Sequence, residues 1–220
     1  MDEEWLCYPL SVPPPHSLSG TFSPIAEIVA VSGSGVRQPG SGFLIHPNVV
    51  VTAAHVVTFE GEAGATPAGW VEVRVGNASA WACSLTVRRG YFGAASSGFD
   101  IAMLLLPNAA CEWADTCELL DEAIAPPTPI DCELCGFLQG LVLDVSVAVQ
   151  SVGQFLEYTA QNLPGLSGGP LIVRRHDGRP VVAGLHRYHD HARGLGQALS
   201  LVLADITAPF AAMGLTLEPE

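Results

Sequence analysis

The residues best suited to chemistry lie in a glycine-rich turn at positions 162–170. In this turn Ser167 follows Gly165 by two positions and is itself followed by Gly168, Gly169 and a proline. Glycines beside a serine permit a tight backbone turn that presents the hydroxyl outward while neighbouring N–H groups converge. Such a turn suits a nucleophile, although a glycine-rich turn can also be only the connection of a hairpin.

Two further segments supply side chains that could activate such a serine. Residues 40–57 contain two short apolar strands, a turn and a small-residue step that ends in His55, and residues 98–106 place Asp100 directly before an apolar run. A serine hydroxyl is a weak nucleophile near neutral pH, so it needs a base within hydrogen-bond reach and a third group that orients the base. His55, Asp100 and Ser167 are therefore the candidate catalytic set.

With these segments the sequence resembles the trypsin-like serine peptidases of the chymotrypsin fold. The matching motifs are residues 52–55 (TAAH), 100–102 (DIA) and 165–170 (GLSGGP), in that family's chain order of His, Asp and Ser. The resemblance spans roughly residues 24–213.

This resemblance implies that His55 is the base, that Asp100 orients it and that Ser167 is the nucleophile of a peptidase acting through an acyl-enzyme. The N–H groups of Gly165 and Ser167 would form the oxyanion hole. Taken singly, His55 reads as a packed or capping histidine and Asp100 as a strand-end cap. The alternative function is therefore a protease-fold binding or scaffold module without turnover.

The residues expected to bind substrate are Gln161, Asn162, His186, Arg187 and Tyr188. In the family the base of the primary pocket lies about six residues before the serine, near Gln161 and Asn162, and an aspartate there would favour Arg or Lys substrates. None is present, so cleavage after basic residues is not expected. Leu166 also replaces the aspartate that pairs with a new amino terminus in zymogen-derived relatives, so maturation by that route is not expected.

The opposite pocket wall carries a Gly-x-His motif that ends at His186, which resembles glutamyl endopeptidases and viral 3C-like peptidases. The resemblance implies that His186, helped by Asn162 or Arg187, binds an acidic or amide P1 side chain. The alternative is a histidine that is merely packed at a strand end. Residues 187–189 are expected to pair with the substrate backbone as an added antiparallel strand.

The elements that must position these residues are predicted to be all-β. Alternating and apolar runs indicate strands in two halves, and the resemblance implies two six-stranded antiparallel β-barrels with a short C-terminal helix. The expected organisation is an extended arm (1–20), a first barrel (21–110), an acidic and proline-rich connector (111–128), a second barrel (129–203) and a C-terminal helix and tail (204–220). Residues 60–69 are expected to form a surface loop.

Composition limits the function further. The chain has 220 residues, 49% of them hydrophobic, and a formal net charge of -13. Nucleic acid and anionic membranes are poor partners for such a charge, so the expected partner is a protein or peptide substrate, with an activating protein left open. The N-terminus is acidic rather than signal-like and no run reaches transmembrane length, so a cytoplasmic protein is expected.

The cysteines are the remaining group of residues that could bind a metal or react. Cys132 and Cys135 have the spacing of half a zinc site, with Cys111 and Cys117 upstream. On a strand, however, positions three apart face opposite sides, which favours buried thiols over zinc. No metal or organic cofactor is expected.

Overall fold

The computed structural model describes residues 5–10, 24–61, 64–75, 78–88, 100–107, 116–120, 129–138, 141–153, 155–159, 165–190 and 193–198. Within these residues the fold is all-β, with sixteen strands and one short 3-10 helix. The predicted C-terminal helix lies outside the described residues. In the described part of the chain, no helix has the length and apolar character to cross a membrane.

The described residues of the first half form ten strands and the 3-10 helix η1. They are β1 (Trp5–Pro9), β2 (Ile25–Val31), β3 (Arg37–His46), β4 (Val49–Thr52), η1 (Ala54–Val57), β5 (Thr58–Gly61), β6 (Gly64–Pro67), β7 (Trp70–Val75), β8 (Ala78–Trp81), β9 (Ser84–Arg88) and β10 (Ala102–Leu105).

The part of the second half that the structure describes forms six strands. They are β11 (Ile130–Leu138), β12 (Leu141–Val152), β13 (Phe155–Thr159), β14 (Pro170–Arg174), β15 (Pro180–Asp190) and β16 (Arg193–Ala198).

Eight strands of the first half form one curled antiparallel sheet in the order β1-β9-β10-β4-β3-β2-β7-β8. Strand β7 shows why a sheet forms here, because its residues alternate between buried valines and partly buried Trp70, Glu72 and Arg74. The sequence predicted a closed six-stranded first barrel, and this prediction is wrong. The sheet formed by the described strands has eight members and two unpaired edges. The N-terminal arm adds β1 beside β9 at one edge and β8 forms the other edge, and these two edge strands do not pair with each other.

The second half forms the closed six-stranded barrel that was predicted, in the order β11-β12-β13-β16-β15-β14. Closure pairs each of the six strands with two neighbours over at least part of its length, which leaves little exposed strand edge. A register shift between His186 and Tyr188 places a β-bulge in β15 opposite β16. Bulges of this kind bend a strand and redirect its side chains, and this one lies beside the candidate site.

Two clusters of buried apolar residues form the core of the protein. One fills the curled sheet and extends to Cys135, Phe137, Val182 and Leu185 of the second half. The other fills the closed barrel around Leu134, Leu156, Leu166 and Leu171. Since the first cluster contains residues from both halves, apolar burial at their contact fixes how the halves meet.

The connector also ties the halves together. The Cys117 N–H donates to the Leu44 carbonyl (2.7 Å) of the first half, and the Leu120 N–H donates to the Val182 carbonyl (2.8 Å) of the second. One predicted loop differs: residues 60–69 include most of the hairpin made by β5 and β6, which lies outside the main sheets.

Candidate active site

His55 and Asp100 are in direct contact, as the sequence predicted. His55 lies on η1, directly after the buried strand β4, and Asp100 lies just before β10, which pairs with β4. Because neighbouring strands carry the two residues, their side chains meet at one end of the sheet. His55 Nδ1 lies 2.7 Å from Asp100 Oδ2, and the His55 backbone N–H donates to Oδ1 over 2.9 Å.

The electrostatics of Asp100 favour a buried carboxylate. Burial by itself would raise the pKa of Asp100, but the charge of His55, two hydrogen bonds from His55 and the nearby Arg187 guanidinium outweigh it. The net result is a pKa below the ordinary value of an aspartate. The carboxylate therefore stays ionised at neutral pH and can hold the His55 ring through Nδ1.

The nucleophile turn is held against the segment that leads to His55. The Ser167 carbonyl accepts a hydrogen bond from the Ser41 N–H (2.7 Å) on β3. Gly168 has a positive φ of 84°, and a methyl group at this position would overlap the Ser41 carbonyl oxygen and the Thr52 hydroxyl. Only glycine fits both the backbone conformation and the space, which explains the small residues after Ser167.

The Ser167 hydroxyl donates to the carbonyl of Arg187 (3.1 Å). Within the described residues it makes no hydrogen bond to the His55 ring, whose side chain is 31% exposed. The structure therefore brings the predicted base and orienting residue into contact and places the predicted nucleophile on the adjoining turn. The complete three-residue set stays a prediction.

The predicted oxyanion hole lies in the same turn. Gly165 has a positive φ of 96°, and its carbonyl accepts a hydrogen bond from the Ser41 hydroxyl (2.7 Å). Within the described part of the chain, the N–H groups of Gly165 and Ser167 donate no hydrogen bond, whereas the next two N–H groups donate to His186 and Leu166. Two unengaged N–H groups beside a serine are what an oxyanion hole requires.

His186 is buried, and its Nδ1 forms a short hydrogen bond with the hydroxyl of Tyr158 on β13. Burial raises the pKa of Tyr158 well above its ordinary value, so the phenol keeps its proton. A phenol that donates to Nδ1 leaves the proton of a neutral imidazole on Nε2. Tyr158 was not predicted as a site residue, although alternation along β13 marks it as inward-facing.

Arg187 is also buried, directly after His186. Its Nε lies 3.4 Å from Asp100 Oδ2, and its guanidinium carbon lies 5.2 Å from the centre of the Phe155 ring. Its predicted contact with substrate stays a prediction. Tyr188 pairs with Leu195 in the β15–β16 ladder, and Gln161 and Asn162 lie outside the described residues.

Ser41 is the other residue that sequence analysis missed. It is fully buried, and its hydroxyl accepts from the Phe137 N–H (2.8 Å) while donating to the Gly165 carbonyl. It thus joins β3, β11 and the nucleophile turn. No local signal could have identified it, because its partners lie far away in the sequence.

The described cysteines of this set do not form a single cluster. Cys132 lies in the core of the closed barrel, whereas Cys135 lies in the cluster shared by the two halves. Among the described residues, no group of three or more histidine, cysteine, aspartate or glutamate side chains is arranged to hold a metal ion. Cys111 lies outside these residues.

Comparison with known proteins agrees with this geometry. The profile of the trypsin-like peptidase domain matches residues 40–183. The chain therefore belongs to the trypsin-like peptidase family, and the resemblance inferred from the sequence is confirmed. No curated protein has significant sequence similarity to the chain.

Several solved structures share the fold. The active form of the Rv3671c protease from M. tuberculosis has a TM-score of 0.63 at 20% identity, covering 96% of this chain and 97% of that one. A Glu endopeptidase has a TM-score of 0.69 at 18% identity, covering 87% and 91% of the two chains. The protease Anisep from Arthrobacter nicotinovorans has a TM-score of 0.68 at 14% identity, covering 88% and 98%. At these identities the likeness establishes the chymotrypsin-like fold.

Proposed function

We propose that this protein is a serine endopeptidase that hydrolyses peptide bonds in protein substrates through an acyl-enzyme formed on Ser167. The observation that carries the proposal is the His55–Asp100 contact of 2.7 Å beside the turn that presents Ser167. Family membership supports the same reaction class.

The first step uses the orientation of the His55 ring. Because Nδ1 donates to the Asp100 carboxylate, the neutral ring carries its lone pair on Nε2. The Ser167 hydroxyl leaves the Arg187 carbonyl by a change of side-chain rotamer, which is a small energetic step, and turns towards Nε2. Its oxygen then attacks the scissile carbonyl carbon while Nε2 takes the proton.

The second step stabilises the charge that develops on the substrate. The carbonyl oxygen becomes an oxyanion facing the N–H groups of Gly165 and Ser167. Removal of one such donor typically costs about 10²–10³-fold in rate. Imidazolium then returns the proton to the leaving amine, and water releases the acyl group by the same route in reverse.

The substrate backbone is proposed to lie along β15. Beyond His186, whose N–H and carbonyl bond to Gly169 and Gly168, β15 has no ladder partner on the β14 side among the described residues, while its other edge pairs with β16 as far as Asp190. An extended peptide can therefore add as an antiparallel strand next to the nucleophile turn.

We propose further that His186 binds an acidic or amide P1 side chain. Tyr158 supports this, because a phenol that donates to Nδ1 keeps the proton of the neutral imidazole on Nε2. A carboxylate or amide oxygen would accept from this nitrogen, whereas an arginine or lysine side chain has no acceptor to offer.

The reaction class is tested by labelling folded protein with a fluorophosphonate probe. We expect stoichiometric labelling that is lost in Ser167→Ala and kept in the control Ser34→Ala, which changes an exposed serine. Folded protein that takes up no label would contradict the proposal.

That outcome would favour the second candidate, a protease-fold module without turnover or one that awaits an activating partner. One observation favours this alternative: the Ser167 hydroxyl is hydrogen-bonded to the Arg187 carbonyl instead of His55. Labelling that occurs only after a partner protein is added would identify the activated form.

A positional-scanning peptide library tests the P1 proposal. We expect cleavage after Glu or Gln, and loss of that preference in Tyr158→Phe, which keeps the ring and removes the hydroxyl. A wild-type preference for Arg or for a large apolar P1 residue would refute it.

A further inference from the structure

Arg187 occupies an unusual position for a fully charged side chain. It is only 3% exposed, and the residue before it, His186, is equally buried. Successive residues of a regular strand point to opposite faces, so both are expected to be buried only where the strand deviates. The register shift between His186 and Tyr188 supplies that deviation, since it leaves Arg187 in a bulge and turns its side chain inward.

The buried guanidinium has defined contacts on two sides. Its Nε faces Asp100 Oδ2 at 3.4 Å, and its guanidinium carbon lies over the Phe155 ring, 5.2 Å from the ring centre. The same carboxylate oxygen accepts from His55 Nδ1 at 2.7 Å. Asp100 is thus held by His55 from η1 and by Arg187 from β15. Among the described residues, His55 and Arg187 are the charged or titratable groups that contact Asp100.

The backbone of Arg187 reaches the third predicted catalytic residue. Its carbonyl accepts the Ser167 hydroxyl over 3.1 Å, and the preceding carbonyl, of His186, accepts the Gly168 N–H over 2.8 Å. One residue therefore contacts the carboxylate through its side chain and the serine through its main chain.

We infer that Arg187 is a positioning residue of the catalytic set, and this inference rests on the proposed function. The Arg187 side chain fixes the Asp100 carboxylate. While His55 is neutral, the positive charge of the guanidinium balances the negative charge of the carboxylate. The substrate contact that the sequence suggested for Arg187 is the alternative role.

The charge arrangement has a direct consequence for His55. With Arg187 present, Asp100 and Arg187 form a neutral buried pair, and protonation of His55 adds a net positive charge to the site. Without the guanidinium, the carboxylate alone faces the ring and favours the imidazolium. Removal of the arginine charge should therefore make His55 take up a proton at higher pH.

The test is an NMR titration of His55 in protein carrying isotope-labelled histidine and Ser167→Ala, which removes the nucleophile and needs no turnover. We compare Arg187→Met, Arg187→Lys and the control Arg174→Met, whose exposed arginine pairs with Glu133 on the outside of the same barrel. The His55 signals are assigned by their loss in His55→Asn.

We expect the His55 midpoint to rise by about one pH unit in Arg187→Met, the order of effect of a neighbouring charge, and to stay near the wild-type value in the other two variants. If the methionine variant does not fold, Arg187→Gln removes the charge while keeping a polar side chain. A folded neutral variant with an unmoved midpoint would overturn the inference.

A second measurement separates positioning from substrate binding. With Ser167 restored, the neutral variant should show an acid limb of kcat/KM shifted to higher pH and an unchanged P1 preference. An altered P1 preference with an unmoved acid limb would assign Arg187 to substrate binding instead. Failure of fluorophosphonate labelling would remove the proposed function but leave the titration fully interpretable.

Discussion

The hydroxyl of Ser41 donates a 2.7 Å hydrogen bond to the carbonyl of Gly165, 124 positions away in the sequence. The same hydroxyl accepts from the Phe137 N–H, and the Ser41 N–H donates to the Ser167 carbonyl. A single buried side chain on β3 therefore fixes the peptide group between the two predicted oxyanion donors. The candidate site depends on a residue that would never contact the substrate.

Replacement of Ser41 by alanine should weaken both stability and activity. The Phe137 N–H would lose its acceptor, and an unsatisfied buried group costs about 1–3 kcal/mol of unfolding free energy. The Gly165 peptide would also lose its restraint. We expect the rate of Ser167 labelling to fall by roughly tenfold or more, because small displacements of positioned groups cost up to about 10²-fold.

Urea unfolding and labelling kinetics measure the two effects of Ser41→Ala. Ser34→Ala, on an exposed loop, is the control and should leave both unchanged. Normal labelling kinetics in a destabilised Ser41→Ala protein would limit Ser41 to a role in folding.

Alanine substitutions at Gly168 and Gly178 form a matched pair. Both glycines have nearly the same positive φ, 84° and 83°, but only Gly168 is surrounded by atoms that a methyl group would overlap. Gly178→Ala should cost only the conformational strain, about 1–2 kcal/mol, and should leave labelling intact. Gly168→Ala should cost more and should abolish labelling.

Thermal unfolding and fluorophosphonate labelling of both variants separate strain from crowding. Equal effects of the two substitutions would show that the contacts with Ser41 and Thr52 do not hold the nucleophile turn.

The lowered pKa of Asp100 predicts how the free energy of unfolding changes with pH. A carboxylate with a lowered pKa contributes stability that is complete above its unfolded pKa of about 3.9 and is lost as the pH falls through the folded value. The stability difference between wild type and Asp100→Asn should therefore be larger near neutral pH than below about pH 4. Urea unfolding at a series of pH values measures it.

Asp100→Asn should also reduce the rate of Ser167 labelling, by up to about 10⁴-fold, because the amide cannot hold the productive His55 tautomer. A difference in stability that does not change between pH 3 and pH 7 would show that Asp100 is not held as an ionised partner of His55.

Three thiols, two of them buried and one partly buried, should resist alkylation. Burial raises the pKa of Cys117, Cys132 and Cys135 to about 12, with nearby acidic groups adding to the effect for the last two. Since the thiolate is the reactive form, iodoacetamide at pH 8 should modify these residues slowly in native protein and rapidly in urea. Peptide mapping by mass spectrometry measures both rates, and fast native modification of Cys132 or Cys135 would contradict their described burial.

Local sequence patterns predicted several elements correctly. Short alternating or apolar runs closed by turn signals predict strands at 25–31, 49–52, 70–75 and 155–159, and β2, β4, β7 and β13 have these bounds. The closed second barrel follows from the family resemblance. The candidate residues His55, Asp100 and Ser167 were identifiable because each lies in a short motif that can be read without knowing what it contacts.

Alternation along a strand, by contrast, assigns side chains to faces only while the pairing register is regular. The bulge that buries Arg187 against Asp100 is set by how β15 pairs with β16, and the position of Ser41 is set by the contact between the two halves.

The sequence by itself determined the all-β class, the family and the candidate catalytic residues, since these depend on residue type and local order. The tertiary structure alone decided which buried groups hold those residues in place: Ser41 for the nucleophile turn, Tyr158 for His186 and Arg187 for Asp100. These contacts join distant strands, and only long-range pairing and packing bring such strands together.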